Sequence, residues 1–172
     1  DILCVGNAMG GCFPISAAVG RPQVMESWEL SAGEAIHTQT FLGNPLGCAM
    51  AHAAVDTIRA RQWPRRVQAR GQLLGRRLRK LAERHPDRIG RVQGRGLMWG
   101  VECVESGGGR RPDPELVMNL MDFCRRSGYL FLPSGTHGSV VGLTPPFVTT
   151  DDQIDGFLEV FERGLDHWTE RG

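Results

Sequence analysis

The sequence predicts a mixed α/β fold in two parts, residues 1–63 and 64–172. Three observations lead there. Short apolar runs of strand character alternate with longer stretches of helical periodicity, the pattern of α/β and α+β chains. Glycine and proline punctuate the boundaries between them, with 23 glycines and 10 prolines in 172 residues. The composition also changes at Trp63-Pro64, where small apolar residues give way to the most basic stretch of the chain.

The elements follow in order. "DILCVG" reads as a strand that opens with no cap or polar lead, which leads us to expect a domain entered partway, with an N-terminal part of a larger protein missing. "PISAAVG" reads as a second short strand, "RPQVMESW" as a short helix and "ELSAGEAIH" as a loop. The clearest helix start is "GNPLGCAMAHAAVDTIRARQ": Asn44 can cap, Pro45 suits the first helical position, and the helix should end near Arg61. Ala49, Ala53 and Ala54 leave it a thin face suited to close packing. "RRVQARGQLLGRRLRKLAERHPDR" sets Val67, Leu73, Leu74, Leu78 and Leu81 near helical spacing and reads as an amphipathic helix stopped by Pro86. "IGRVQGRGLMWGVECVE" reads as a hairpin turning at Gly94-Arg95-Gly96, and "SGGGRRPDP" as a loop. A helix over "PELVMNLMDFCRRSG", stopped by Gly128, precedes the short strands "YLFLPSG" and "SVVGLTPP". A last helix, capped near Thr150 or Asp151, carries Ile154, Phe157, Leu158, Phe161 and Leu165 on one face.

Composition narrows the function classes. A net charge of +1 argues against nucleic acid as a partner. The basic helix therefore reads as a solvated face with its leucines in a core. No apolar run approaches the ~18 residues of a membrane span, and the N-terminus lacks a signal-peptide pattern. Cys4, Cys12, Cys48, Cys103 and Cys124 form no C-x-x-C pair, and most lie in apolar stretches, as buried thiols of a cytoplasmic protein would. His37, His52, His85, His137 and His167 are scattered without metal-ligand spacing, so no metal is expected. Glu102 and Glu105 read as strand-end charges, and Ser16 does not sit in a G-x-S-x-G elbow. Lys80 is the single lysine against nineteen arginines, so amine chemistry has one side chain to draw on.

Four stretches carry the chemistry when taken together. "GNAMGG" follows a strand and fits neither G-x-x-x-x-G-K-[ST] nor G-x-G-x-x-G. "HTQTFLGNPLGCAMA" places the Thr40 hydroxyl just before a helix start, where phosphates bind. "VQGRGLMWGVE" and "VVGLTPPFVTTDDQID" complete the set. In this order and spacing the four resemble the class III aminotransferases, which carry P-D-I-x-x-x-G-K-x-[LMI]-G-G-G-x-P-[IL]-[SG]-A, then H-x-x-T-[FY]-x-G-N-P, then R-G-x-G-L-M-x-G-[IV]-E and L-x-P-P-L. The resemblance covers nearly the whole chain, and it places Asp1-Ile2 on the family's D-I, deep inside the large domain.

The resemblance implies a fold-type I architecture. Residues 1–63 would be the end of the large domain that binds pyridoxal 5′-phosphate (PLP), and residues 64–172 a small C-terminal α+β domain. It implies amine and 2-oxo acid substrates, and a homodimer in which Thr40 holds the PLP phosphate of the neighbouring subunit. Gln39 departs from the small residue usual beside that threonine. Asn7 stands where the family has the lysine that forms a Schiff base with PLP. An amide lone pair is delocalised, so Asn7 can neither attack an aldehyde nor carry the proton of transamination. The chain as given is then an inactive aminotransferase part or, alternatively, a non-catalytic protein of the same fold used in binding or assembly. Gly142 stands where many members have an arginine that clamps a substrate carboxylate; an arginine elsewhere could replace it, and Arg95, in the glycine hairpin, is weighed for that place but reads first as structural.

Overall fold

A computed structural model describes residues 1–28, 32–33, 39–107 and 110–169. The loop expected over 29–37 lies outside them except for 32–33, as do His37 and the centre of the glycine loop at 108–109. The chain divides into two compact units, Asp1–Gln62 and Trp63–Gly172.

The first unit opens with β1 (Ile2–Val5), paired antiparallel with β2 (Ala17–Gly20) in a register running from Ile2 opposite Gly20 to Val5 opposite Ala17. Their connection begins with a 3-10 turn over Asn7–Gly10 and passes through Gly11 and Cys12, both left-handed at φ 54° and 86°. Helix α1 (Pro22–Met25) starts on a proline. Helix α2 (Pro45–Ala60) is capped by the Asn44 side chain, which accepts from the Gly47 N–H at 3.1 Å, with Pro45 at the first turn. The alanine face of α2 does not pack as expected: Ala49 and Ala53 are exposed, and Gly47 is the buried residue of that helix. The buried described residues of this unit are Gly10 and Gly47.

The second unit holds the hydrophobic core. Helix α3 (Trp63–Arg84) leads into β3 (Ile89–Arg95) and β4 (Met98–Cys103). Helix α4 (Pro114–Arg126), β5 (Leu132–Ser134), β6 (Val140–Leu143) and α5 (Asp151–Thr169) follow. The strands form one antiparallel sheet in the order β3-β4-β6-β5. Alternation decides its faces. Trp99, Val101 and Cys103 of β4 and Val141 and Leu143 of β6 are buried under the helices, while Met98, Gly100, Glu102, Val140 and Gly142 between them are not. Leu74, Leu78 and Leu81 of α3, Leu116 and Leu120 of α4, and Ile154, Phe161 and Leu165 of α5 close the core.

Two glycines let α3 lie on the sheet. A Cβ on Gly71 would overlap the carbonyl of Gly96, and one on Gly75 would overlap the Trp99 ring. The same contact moves the hairpin turn. β3 runs on to Arg95, and the chain turns at Gly96-Leu97 instead of Gly94–Gly96, with Gly96 at φ 58° and its carbonyl accepting from Trp99 Nε1–H at 2.8 Å.

The basic helix is partly neutralised inside the unit. Arg70 pairs with Asp151 at 3.3 Å, Arg77 with Asp155 at 2.7 Å, and Arg84 with Glu162 at 2.8 Å through Nη2. Arginines spaced seven apart thus meet an acidic row on α5. Helix α5 starts in a capping box: Thr150 Oγ1 accepts from the Gln153 N–H, and Gln153 Oε1 accepts from the Thr150 N–H.

Candidate functional site

The first unit brings two of the four sequence stretches together. Gly47, at the start of α2, faces the Phe13 ring and Ile15; a Cβ there would come within 2.9 Å of Phe13 Cε1. The absence of a side chain lets the 6–16 connection settle against the first turn of α2, and the 3-10 turn that begins at Asn7 contacts that helix. "GNAMGG" and "GNPLG" are therefore one constellation, built on a glycine with no special backbone angle.

Asn7 stands at the first position of the 3-10 turn, after Gly6. Asparagine is common in turns for two structural reasons, a left-handed backbone or a capping position. Among the described residues the non-glycine positions with positive φ are Cys12 and Gln62, and the capping position before the 3-10 turn belongs to Gly6.

Thr40 lies in the chain that enters α2. The Leu42 N–H donates to the Gln39 carbonyl at 3.0 Å and the Asn44 N–H to the Phe41 carbonyl at 3.1 Å, which curls residues 39–44 into two successive turns. Thr40 is exposed, and its hydroxyl makes no hydrogen bond with the described residues. An exposed hydroxyl close to a helix N-terminus suits an anionic phosphate.

The fit to PLP is thus divided. Thr40 offers what a phosphate needs. Asn7 does not offer what an aldehyde needs, because an amide nitrogen does not form a Schiff base. Lys80, the chain's one lysine, is exposed on α3, in the second unit.

The remaining candidates lie in the second unit. Gly142 on β6 sits opposite Gly100 on β4 and Leu132 on β5, on the sheet face that the helices leave open. Arg95 ends β3 opposite Met98; it is exposed, and its guanidinium makes no ion pair with the described residues. Glu105 pairs with Arg111 at 3.8 Å. Three of the histidines have local partners: His52 meets Asp56 at 3.2 Å, His85 meets Glu162 at 3.4 Å, and His167 lies against Phe123. Among the described residues no group of His, Cys, Asp and Glu has the arrangement of a metal site.

The cysteines correct the expectation of burial. All five are free thiols, but Cys4, Cys12 and Cys48 are exposed, because the first unit has no core to cover them. Cys103 and Cys124 are buried, and burial pushes their thiols up to about 12 and about 11, so neither is a thiolate nucleophile at neutral pH.

Sequence reasoning gave no sign of a cavity of about 770 Å³ within the second unit, bounded by the end of α4, β5, β6 and the start of α5. Its walls are chiefly apolar, among them Tyr129, Leu132, Pro145, Val148 and Phe157. Its two charged residues, Asp122 and Arg125, are bonded to each other at 2.7 Å. The lining comes from segments scattered over some eighty residues, so no local pattern announces it.

Comparison with known proteins bears on the whole chain. Residues 1–165 match the family described as aminotransferase class-III. A 4-aminobutyrate aminotransferase of Mycobacterium leprae is 33% identical over 165 residues, which are 96% of this chain and 36% of that protein. The crystal structure of acetylornithine aminotransferase from Elizabethkingia anophelis superposes with a TM-score of 0.80 at 30% identity, over 97% of this chain and 39% of that one. A phospholyase from Arthrobacter, in complex with phosphoethanolamine, superposes with a TM-score of 0.86 at 28% identity, over 96% of this chain and 38% of that one. The chain thus spans little more than a third of the length of each of these proteins.

Proposed function

The chain belongs to the class III aminotransferases, a PLP-dependent family, and we propose that it is the C-terminal part of such an enzyme, disabled in transamination by Asn7. The parent reaction moves an amino group from an amine or amino acid to a 2-oxo acid. PLP supplies the electron sink for that transfer. In this reading residues 1–63 are the remainder of the PLP-binding large domain and residues 64–172 the small C-terminal domain. Thr40 holds the cofactor phosphate of the partner subunit in a cytoplasmic homodimer. The five free thiols favour a reducing compartment.

What supports the reading is that the family match runs through residue 7, where the sequence carries an amide in place of the family's lysine. What is lost is a single group. An amine in that place bonds the cofactor and titrates in a range where it can pass a proton; an amide does neither.

Asn7 also favours a second reading, a non-catalytic protein of the same fold serving in binding or assembly. Asn7→Lys in the native protein separates the two. Transamination that appears with lysine identifies a disabled enzyme. A folded variant that loads cofactor and stays inactive identifies a repurposed scaffold.

A further inference from the structure

We propose that the cavity of the second unit binds a free amphipathic carboxylate, a medium-length alkyl chain inside and its anionic head on Arg125. The site lies wholly in the second unit and owes nothing to residue 7 or Thr40.

The interior selects the chain. The volume of about 770 Å³ falls within the range of small-molecule pockets, roughly 300–1,000 Å³. Tyr129, Leu132, Pro145, Val148, Ile154 and Phe157 give it apolar walls. The rim is apolar as well: Leu130, Leu132 and Val148 are 82%, 74% and 67% exposed. Apolar surface gathered at the mouth of a cavity favours a ligand that removes it from water. A peptide fits less well, because its amide groups would need partners inside. The Gln153 amide oxygen is already spent on the Thr150 N–H. An alkyl chain brings no such need.

The charge at one end selects the head. Asp122 Oδ1 accepts from Arg125 Nη2 at 2.7 Å, and Asp122 Oδ2 accepts from Arg126 Nε at 2.8 Å. One carboxylate thus faces two guanidinium groups, and one positive charge is left over. Arg125 is the arginine that lines the cavity. Its Nε and Nη2 donate to Asp122, which leaves its Nη1 donors for a second carboxylate. The carbonyls of Cys124 and Arg125 at the end of α4 accept from the N–H groups of Tyr129 and Gly128 at 2.9 and 3.1 Å, which blunts the negative pole beside the arginines. A neutral head would leave the spare charge unused, and a cationic head would meet it as a like charge.

The test titrates the native protein with decanoate, octanoate, decanol and decyltrimethylammonium by calorimetry, below their micelle concentrations. We expect decanoate to saturate a single site and to bind about tenfold more tightly than octanoate, through the burial of its extra methylenes. We expect it to bind about fivefold more tightly than decanol, the scale of an ion pair partly open to water, with the cation weakest. Arg125→Gln leaves Asp122 bonded to Arg126, so α4 keeps that contact. It should bring decanoate to the affinity of decanol and leave decanol unchanged. Val148→Asp, at an exposed rim position, should weaken decanoate without lowering the melting temperature. Absence of saturable decanoate binding, equal affinity for decanoate and decanol, or a folded Arg125→Gln variant that still prefers the anion overturns the proposal. So does a native protein that ignores decanoate and that Val148→Asp converts to a smaller species in light scattering, since a second copy of the chain then covers the cavity.

Discussion

Three single residues show how little room the fold leaves. Gly71 and Gly75 look like weak points in a long helix, where glycine costs about 1 kcal/mol against alanine. The structure reverses that reading, since a methyl on Gly71 would overlap the Gly96 carbonyl, a backbone atom that has nowhere to go. Gly71→Ala is therefore expected to lower stability by about 1–3 kcal/mol despite its better propensity, measured by urea unfolding. Gln62 makes the opposite case. It closes α2 at φ 51°, with its N–H donating to the Arg59 carbonyl at 3.1 Å, a position where glycine is usual. Gln62→Gly should raise stability by up to about 1 kcal/mol in the same assay. Neither effect was legible in the sequence, because each depends on a backbone angle or a neighbour distant along the chain. That residue 7 carries an amide and not an amine was legible, because it depends on the functional group alone.

At the scale of elements, the pairing of α3 with α5 carries the electrostatics. The Arg84 guanidinium hydrogen-bonds Glu162 and holds its carboxyl below the usual carboxylate range. A carboxyl depressed in the folded state stabilises above its unfolded value, about pH 4.3, and that contribution is lost as pH falls through the lower folded value. Glu162→Gln removes the titration. The stability difference between the native protein and this variant should be constant near neutrality and shrink below about pH 4, followed by unfolding at stepped pH. Asp113 is a second joint. It caps α4 by accepting from the Leu116 N–H at 2.8 Å and pairs with Arg88 at 3.5 Å, both side chains being mostly buried. Asp113→Ala should cost about 1–2 kcal/mol, with Asp113→Asn retaining part of the cap. The helices themselves could be read from period and capping residues. Their partners could not: "RRVQARG" reads as a basic surface until the acids of α5 are set beside it.

For the whole molecule, the division of labour is uneven. Every buried hydrophobic side chain among the described residues belongs to Trp63 or later, while Ile2, Leu3, Phe41, Leu42 and Leu46 are more than half exposed. The segment 63–172 should therefore unfold cooperatively when expressed alone, whereas 1–62 should show no cooperative transition; circular dichroism on heating distinguishes the two. The sequence by itself determined the mixed α/β class, the element order and the family, and that residue 7 carries an amide. These rest on local periodicity, on capping and turn chemistry, and on which atoms a side chain carries. Only the tertiary structure decided that Gly47 seats the Asn7 connection on α2, that Gly71 and Gly75 admit α3 to the sheet, that the turn falls at Gly96-Leu97, and that Cys4, Cys12 and Cys48 are exposed. Close approach and burial are properties of pairs of distant segments, and no window of sequence contains both members of such a pair.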